Sequence, residues 1–361
     1  MKRMGIAAAA AALAMVLLAG CGTPGQGPAV SSPAGTTGGS QTDAPTKAPT
    51  QAPTEPPGQL NIFTGKRDLA PNDPTRPVGI MIGNNDRSRP QVGLEKADMY
   101  VEAETEGGIT RIMAVFANAA RVPDKLGPVR SARSPFVQLG EALDLVYCHA
   151  GGSPGGLNTI ANANINNINA LVYDGSTFWR DADLRRTKGL EYSMMTSGQN
   201  LTKRISSLKY RTTSSRTSPF AFGGSTAGNP GTKLQVYFSG GQTDSFVYSD
   251  ADKLYYKNNG SLSGGSPHKT ASGVQLSAAN VIVMFAPRFV ESSGATTVYN
   301  FTLNSGTGKV ASGGLARDIR WSRTASSLQF TETDGSPLAL NPGKTYICLV
   351  HSGYADKTIV S

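Results

Sequence analysis

Apolar residues fall into three textures along the 361-residue chain. A nearly unbroken apolar run covers residues 6–18, large apolar side chains are scarce over residues 22–58, and short apolar runs alternate with Gly, Asn, Asp, Ser and Pro from residue 59 onward. The third texture belongs to a folded body, and its periods predict the elements. Residues 76–83, with Val78, Ile80, Met81 and Ile82 ahead of Asn84-Asn85, read as a buried strand and its loop. Residues 97–104 and 109–116 read as two strands joined through Glu106-Gly107-Gly108, a hairpin. Phe136, Val137, Leu139, Gly140 and Leu143 have helical spacing over residues 134–143. Residues 144–149 predict another buried strand, delivered into Ala150-Gly151-Gly152-Ser153-Pro154-Gly155-Gly156. Beyond it, the stripe Ile160, Ile165, Ile168 and Leu171 predicts a helix over 157–171.

After a Gly/Ser/Pro-rich stretch at 212–231 the pattern changes. Eight β-prone runs follow, at 234–238, 245–248, 254–256, 281–285, 297–303, 318–322, 328–330 and 345–350, separated by Gly, Asn, Asp and Ser turns. The pattern predicts an α/β or α+β N-terminal domain with a central sheet over residues 59–222. An all-β sandwich- or barrel-like C-terminal domain over 223–361 follows it.

The N-terminal textures bear on location. Met1-Lys2-Arg3-Met4, a short apolar stretch and Leu18-Ala19-Gly20-Cys21 describe an export signal too short for a stable membrane span. Leu-Ala-Gly-Cys resembles the bacterial lipoprotein cleavage box, which implies removal of residues 1–20 and lipid, palmitate included, on Cys21. Residues 21–58 cannot bury enough surface to offset their ordering entropy and read as a disordered tether. The expected product is an extracytoplasmic chain, lipid-anchored to the cell membrane. The 34 basic and 25 acidic residues give +9, and loss of Lys2 and Arg3 leaves +7. That balance points to anionic envelope polymers or lipid headgroups, not nucleic acid, although scattered charges also serve solubility alone. Cys148 and Cys348 lie in separate strand-like runs and read as buried free thiols. No zinc-type Cys/His spacing exists, and neither a metal nor a cofactor is expected.

The stretch with most chemical promise is Gly127-Pro128-Val129-Arg130-Ser131-Ala132-Arg133, which leads into the helix at 134. Arginines at a helix N-terminus meet free backbone N–H groups and a dipole that already favour an anion. The Gly151-Gly152-Ser153 loop, also between a strand and a helix-like stretch, offers a second set of N–H donors, unless its glycines serve only the turn. Arg180, in Phe178-Trp179-Arg180, adds a further cation. Glu102, Glu104 and Glu106 alternate with period two and are expected on one face, with Arg111 reaching them from the returning strand. They form either a solvated, salt-bridged face or a general-base cluster. His149, at the end of a buried strand, is a candidate for chemistry or a hydrogen-bonded structural histidine. Gly151-Gly152-Ser153-Pro154-Gly155 matches the G-x-S-x-G elbow in form. Pro154, however, lacks the N–H that would meet an oxyanion, which disfavours a serine hydrolase.

Several of these motifs, in order, resemble the YerB-like lipoproteins, a family whose two parts are domains of unknown function (3048, N- and C-terminal). They are Arg76 to Asn84, Arg89-Pro90-Gln91-Val92-Gly93-Leu94, Ala97-Asp98 to Glu102, Glu106 to Arg111, Gly127 to Arg133, His149 to Pro154 and Phe178-Trp179-Arg180. Gln275 to Val283 and Leu340 to Thr345 continue the series. The chain departs from the family pattern at Glu191-Tyr192-Ser193, where the resemblance implies Pro-His-Asn, and at His268-Lys269-Thr270, where it implies His-x-Asp. The Pro-x-Arg loop opening a helix is also similar in outline to the LytR-CpsA-Psr envelope enzymes, which handle polyprenyl pyrophosphates. Only Arg130 and Arg133 carry over to that pattern.

The leading expectation is a tethered protein that binds a phosphate- or carboxylate-bearing cell-wall ligand. Arg111, Arg130, Arg133 and Arg180 would supply charge, and Ser131, Gly151, Gly152 and Ser153 would supply donors. An alternative phosphotransferase or hydrolase on lipid-linked wall precursors would use Glu102 or Glu106 as base, and requires Glu102 and Arg130 to share a cleft. A scaffold for envelope proteins would instead turn the arginines inward onto Glu102 and Glu106.

Overall fold

The computed structural model describes residues 58–224, 227–292 and 296–361, so the export signal, Cys21 and nearly all of the tether lie outside the described residues. Strands β1 (Val78–Gly83), β2 (Met99–Glu104) and β3 (Thr110–Phe116) form an antiparallel core in which every residue is buried. The β2–β3 turn uses Gly107 and Gly108 at φ 62° and 74°, values that glycine reaches without a Cβ clash. β4 (Val146–His149) and then β5 (Asn167–Asn169) add in parallel to the β1 edge. On the other edge, β2 takes Thr345–His351 as a parallel neighbour, and Asn280–Ala286, Ser305–Ser312, Leu315–Thr324 and Ser327–Glu332 continue outward in that order. A single 11-stranded sheet results.

Helix α1 (Ser134–Ala142) starts after extended Arg133, carries Pro135 in its first turn, and buries Phe136, Val137 and Leu139 against one face of this sheet. Each of these side chains contributes about 1.5–3 kcal/mol by leaving water. A six-stranded sheet built on Lys233–Ser239, Gln242–Ser249 and Leu254–Asn259 covers the other face; Phe246 from it meets Tyr346 at 5.2 Å between ring centroids. The chain is thus α/β in its first half and mostly antiparallel β in its second, where Asn280–Ala286 alone pairs lengthwise in parallel with Thr345–His351. The boundary expected near residue 223 separates two stretches of sequence, while their strands hydrogen-bond in one sheet across β2 and Thr345–His351.

Two expectations need correction. The helix expected over 157–171 is α2 (Pro154–Asn162), which ends nine residues short of Leu171. Ala163 is extended, and Ile168 lies in β5 instead. Beyond Ala163 asparagine side chains bond the backbone in place of a helical ladder, as where Asn169 Oδ1 accepts from Leu171 N–H (3.1 Å). The central strand Ser305–Ser312 went unexpected because Gly306 and Gly308 hide its pattern.

Candidate functional site

Four arginines converge from four places in the chain on one cavity of about 460 Å³. Arg111 projects from β3, from the face opposite that of its neighbour Ile112. Arg130 and Ser131 come from the segment before α1. There Val129 N–H donates to Met194 O (2.7 Å) and Arg130 N–H to Met81 O (2.8 Å), so the loop is tied to β1 on one side and to β7 (Met194–Thr196) on the other. Arg133 stands at the α1 N-cap, and Arg180 ends β6 (Phe178–Arg180), which pairs with β7. Val129, Ala150, Leu171 and Leu190 supply apolar wall, and Glu106 and Glu191 supply the only carboxylates lining the cavity.

The arginines divide into two layers. Arg111 and Arg133 form the inner layer, both clamped by Glu106: Arg133 bonds it through Nε (2.7 Å) and Nη2 (2.6 Å), and Arg111 through Nη2. Burial alone would raise the Glu106 carboxyl, but the two guanidiniums overcome it and hold the group below the ordinary carboxylate range. Burial and the adjacent Arg133 pull Arg111 down to about 9, which leaves it charged at neutral pH in a spot crowded with cations. The outer layer is Arg130 and Arg180. Arg130 Nη1 donates to the Glu191 carbonyl (2.7 Å) and carboxylate (3.1 Å), and its guanidinium carbon sits 4.8 Å from the Tyr192 ring centroid. Arg180 donates from Nε to Asp174 (3.1 Å) and from Nη1 to Leu190 O (2.7 Å). Nε and Nη2 of Arg130 and Nη2 of Arg180 have no partner among the described residues.

Other expected site residues lie elsewhere. Glu102, Glu104 and Glu106 do not share an arginine. Glu102 is buried between the two sheets, accepting from Asn84 Nδ2 (2.7 Å), Thr110 Oγ1 (2.5 Å) and Tyr346 O–H (2.5 Å), and Glu104 pairs with Arg288. Glu106 reaches Arg111 because it stands past the end of β2, where the alternation rule lapses. With Glu102 outside the arginine cavity, a base at that residue acting on a ligand held by Arg130 is excluded. His149 is buried as well; its Nδ1 donates to Gly151 O (2.7 Å), and burial lowers its pKa. The Gly151–Ser153 loop does not line the cavity, and two of its three backbone donors are used. Gly151 N–H goes to Asn169 Oδ1 (3.0 Å) and Ser153 N–H to Ala132 O (3.3 Å). The Ser153 hydroxyl accepts from Gly156 N–H as the α2 cap, so the serine is committed to the helix start.

Sequence reasoning missed Glu191, Tyr192, Leu171 and Leu190, although Glu191-Tyr192 had been marked as a departure from the family pattern. It also missed Glu291, from Arg288–Ser292. This carboxylate accepts from Ser134 Oγ at the start of α1 and approaches Ser153 Oγ at the start of α2 (3.4 Å). The helix termini that the sequence offered as an anion site thus hold an acid of the chain itself.

A mixed sheet with α1 and α2 on one face, a second β sheet and the helix Gly198–Ser207 on the other, and an arginine cavity beside the β1 end defines the class of protein at the level of architecture. Models of the protein of unknown function family DUF3048 match this chain over residues 63–211 with the N-terminal domain and 234–347 with the C-terminal domain. The chain belongs to this family. A curated relative, "Putative lipoprotein YerB" of Bacillus subtilis (strain 168), is 28% identical over 277 residues, covering 76% of this chain and 81% of its own. The crystal structure of the YerB protein from Bacillus subtilis shares the fold with a TM-score of 0.72 at 25% identity, over 84% of this chain and 99% of that one. Among the described residues no helix is long and apolar enough to cross a membrane.

Proposed function

We propose that this protein, anchored in the cell envelope through lipid on Cys21, binds an anionic ligand bearing phosphate or carboxylate in the arginine cavity. The observation that carries the reading is the outer layer. Arg130 and Arg180 keep N–H groups directed at no protein acceptor, and the acid nearest Arg130 is Glu191, whose side chain is 71% exposed and free to swing away. Four arginines against two glutamates leave the lining at +2. Guanidinium groups on two walls suit a tetrahedral or planar anion through paired N–H bonds. Inner-layer Arg111 and Arg133 add field more than contacts, because Glu106 and the Ser131 and Ala132 carbonyls occupy most of their donors.

The experiment is calorimetric titration of the mature chain with inorganic pyrophosphate. Hydrogen bonds to charged groups contribute about 1.5–3 kcal/mol each, so Arg130→Ala and Arg180→Ala are each expected to weaken binding about tenfold or more. Unchanged affinity in both variants would leave the scaffold reading, which the inward pairing of Arg111 and Arg133 with Glu106 favours. A phosphotransferase or hydrolase reading has Glu106 left as its base, and a carboxyl held below its ordinary range by two arginines is a poor proton acceptor.

A further inference from the structure

We infer that the ligand of this cavity is amphiphilic, a phosphate or diphosphate ester whose hydrocarbon chain lies along an aliphatic rim beside the arginines. The inference rests on the anion-site reading above and adds the chemical class. At about 460 Å³ the cavity is far larger than a phosphate group needs, and the surplus wall is aliphatic. Leu171 and Leu190, which line it, are 56% and 52% exposed, and Val172 beside Leu171 is 67% exposed.

The rim continues around the Gly151-Gly152 turn. Leu171 and Leu157 press on this turn closely enough that a Cβ added at either glycine would lie 2.9 Å from a leucine methyl. Of the ten large hydrophobic side chains exposed among the described residues, four fall within residues 157–190, the segment that also carries Arg180. Aliphatic groups left in water beside a cluster of cations mark a binding surface for a molecule with both characters. A glycan polymer would ask for amide and aromatic partners for its hydroxyls and ring faces. The cavity lining contains no Asn, Gln or aromatic residue.

The test titrates the mature chain with inorganic pyrophosphate and with geranyl, farnesyl and geranylgeranyl pyrophosphate below their micelle concentrations. Affinity is expected to rise with chain length, with farnesyl pyrophosphate about tenfold or more tighter than pyrophosphate from the apolar area it buries. In Leu171→Ser/Leu190→Ser that ratio should fall toward one. A flat series, with pyrophosphate bound as well as its prenyl esters, overturns the inference and leaves the anion site standing. Failure of every phosphate to bind overturns both. Phosphatidylglycerol vesicles test the other source of the same chemistry, a bulk membrane headgroup. Capture by vesicles without binding of the prenyl esters also overturns the inference.

Discussion

Lys257 is fully buried, and its neighbours explain how a cation can remain there. Its Nζ lies 2.6 Å from Asp244 Oδ2, 3.7 Å from Glu102 Oε2 and 3.1 Å from His268 Nδ1, with the Tyr346 ring on a further side. His268 is neutral in this arrangement: Nδ1 accepts from the lysine and Nε2–H donates to Gln91 Oε1 (2.9 Å). Burial, then the charge of Glu102, push the Asp244 carboxyl up to about 7, while burial, Lys257 and Arg89 push His268 well below its ordinary value. The signs oppose. Asp244 contributes stability that is fully present below pH ~4 and lost as pH rises toward 7, and His268 contributes stability present above pH ~6.5 and lost as pH falls, each at up to about 1.4 kcal/mol per pH unit. The two slopes offset one another across pH 4–6.5. Relative to the parent, Asp244→Asn is therefore expected to grow more stable from pH 4.5 to 6.5, and His268→Gln less stable, in urea unfolding followed at one-unit intervals. Parallel profiles for all three proteins would refute the assignment. Little of this cluster was legible in the sequence, since Glu102 and Lys257 stand 155 positions apart and no local period links them. The arginines were legible because proline, arginine and a helix start are neighbours in the chain. The partner of Arg130 was not, because Glu191 arrives from a turn after α3 (Ala182–Lys188).

At the scale of elements, hydrophobic period was a good guide wherever one face of a strand or helix is buried. β2, β3 and α1 begin and end within two residues of their sequence-based limits. The period failed where close packing needs the absence of a side chain. In Ser305–Ser312 a Cβ on Gly306 would lie 2.5 Å from Phe285 O and 2.8 Å from the Trp321 indole, and one on Gly308 would lie 2.4 Å from Val283 O. These glycines let Trp321 lie across the strand and donate from Nε1 to Thr307 O (3.0 Å). The residues that make the strand central are thus those that make it look like a loop. Gly306→Ala is expected to cost about 1–3 kcal/mol through overpacking, against a few tenths or less for an alanine at Gly223, where nothing lies within 4 Å and φ is outside the left-handed region. Equal losses at the two sites in denaturant titration would show that contact does not decide the cost.

The whole molecule is held at one seam. β2 bonds β3 on one side and Thr345–His351 on the other, in register from Met99↔Thr345 to Ala103↔Leu349. Tyr346, Ile347, Cys348, Leu349 and Val350 are all buried there, and Tyr100 stacks on Tyr346 at 5.1 Å. Without residues 223–361, β2 would present a bare edge of unpaired N–H and C=O groups, and the face now under Leu234, Val236 and Phe246 would meet water. The sequence suggested two domains because the change of texture near residue 223 is real. It held no sign of the seam, because parallel pairing over 246 positions depends on topology and leaves no local pattern. The chain should consequently unfold as one unit although its sequence divides in two. Trp179 and Trp321, the only tryptophans, sit on opposite sides of the division and make the test direct. Fluorescence of Trp321→Phe reports the first half and that of Trp179→Phe the second. After each variant is referenced to its own circular dichroism, the fluorescence and backbone midpoints are expected to coincide in both. A first-half midpoint separated from the backbone transition would mean that β1–β5 stand without their borrowed neighbour, and that the arginine cavity, built entirely from residues before 192, could be studied on its own.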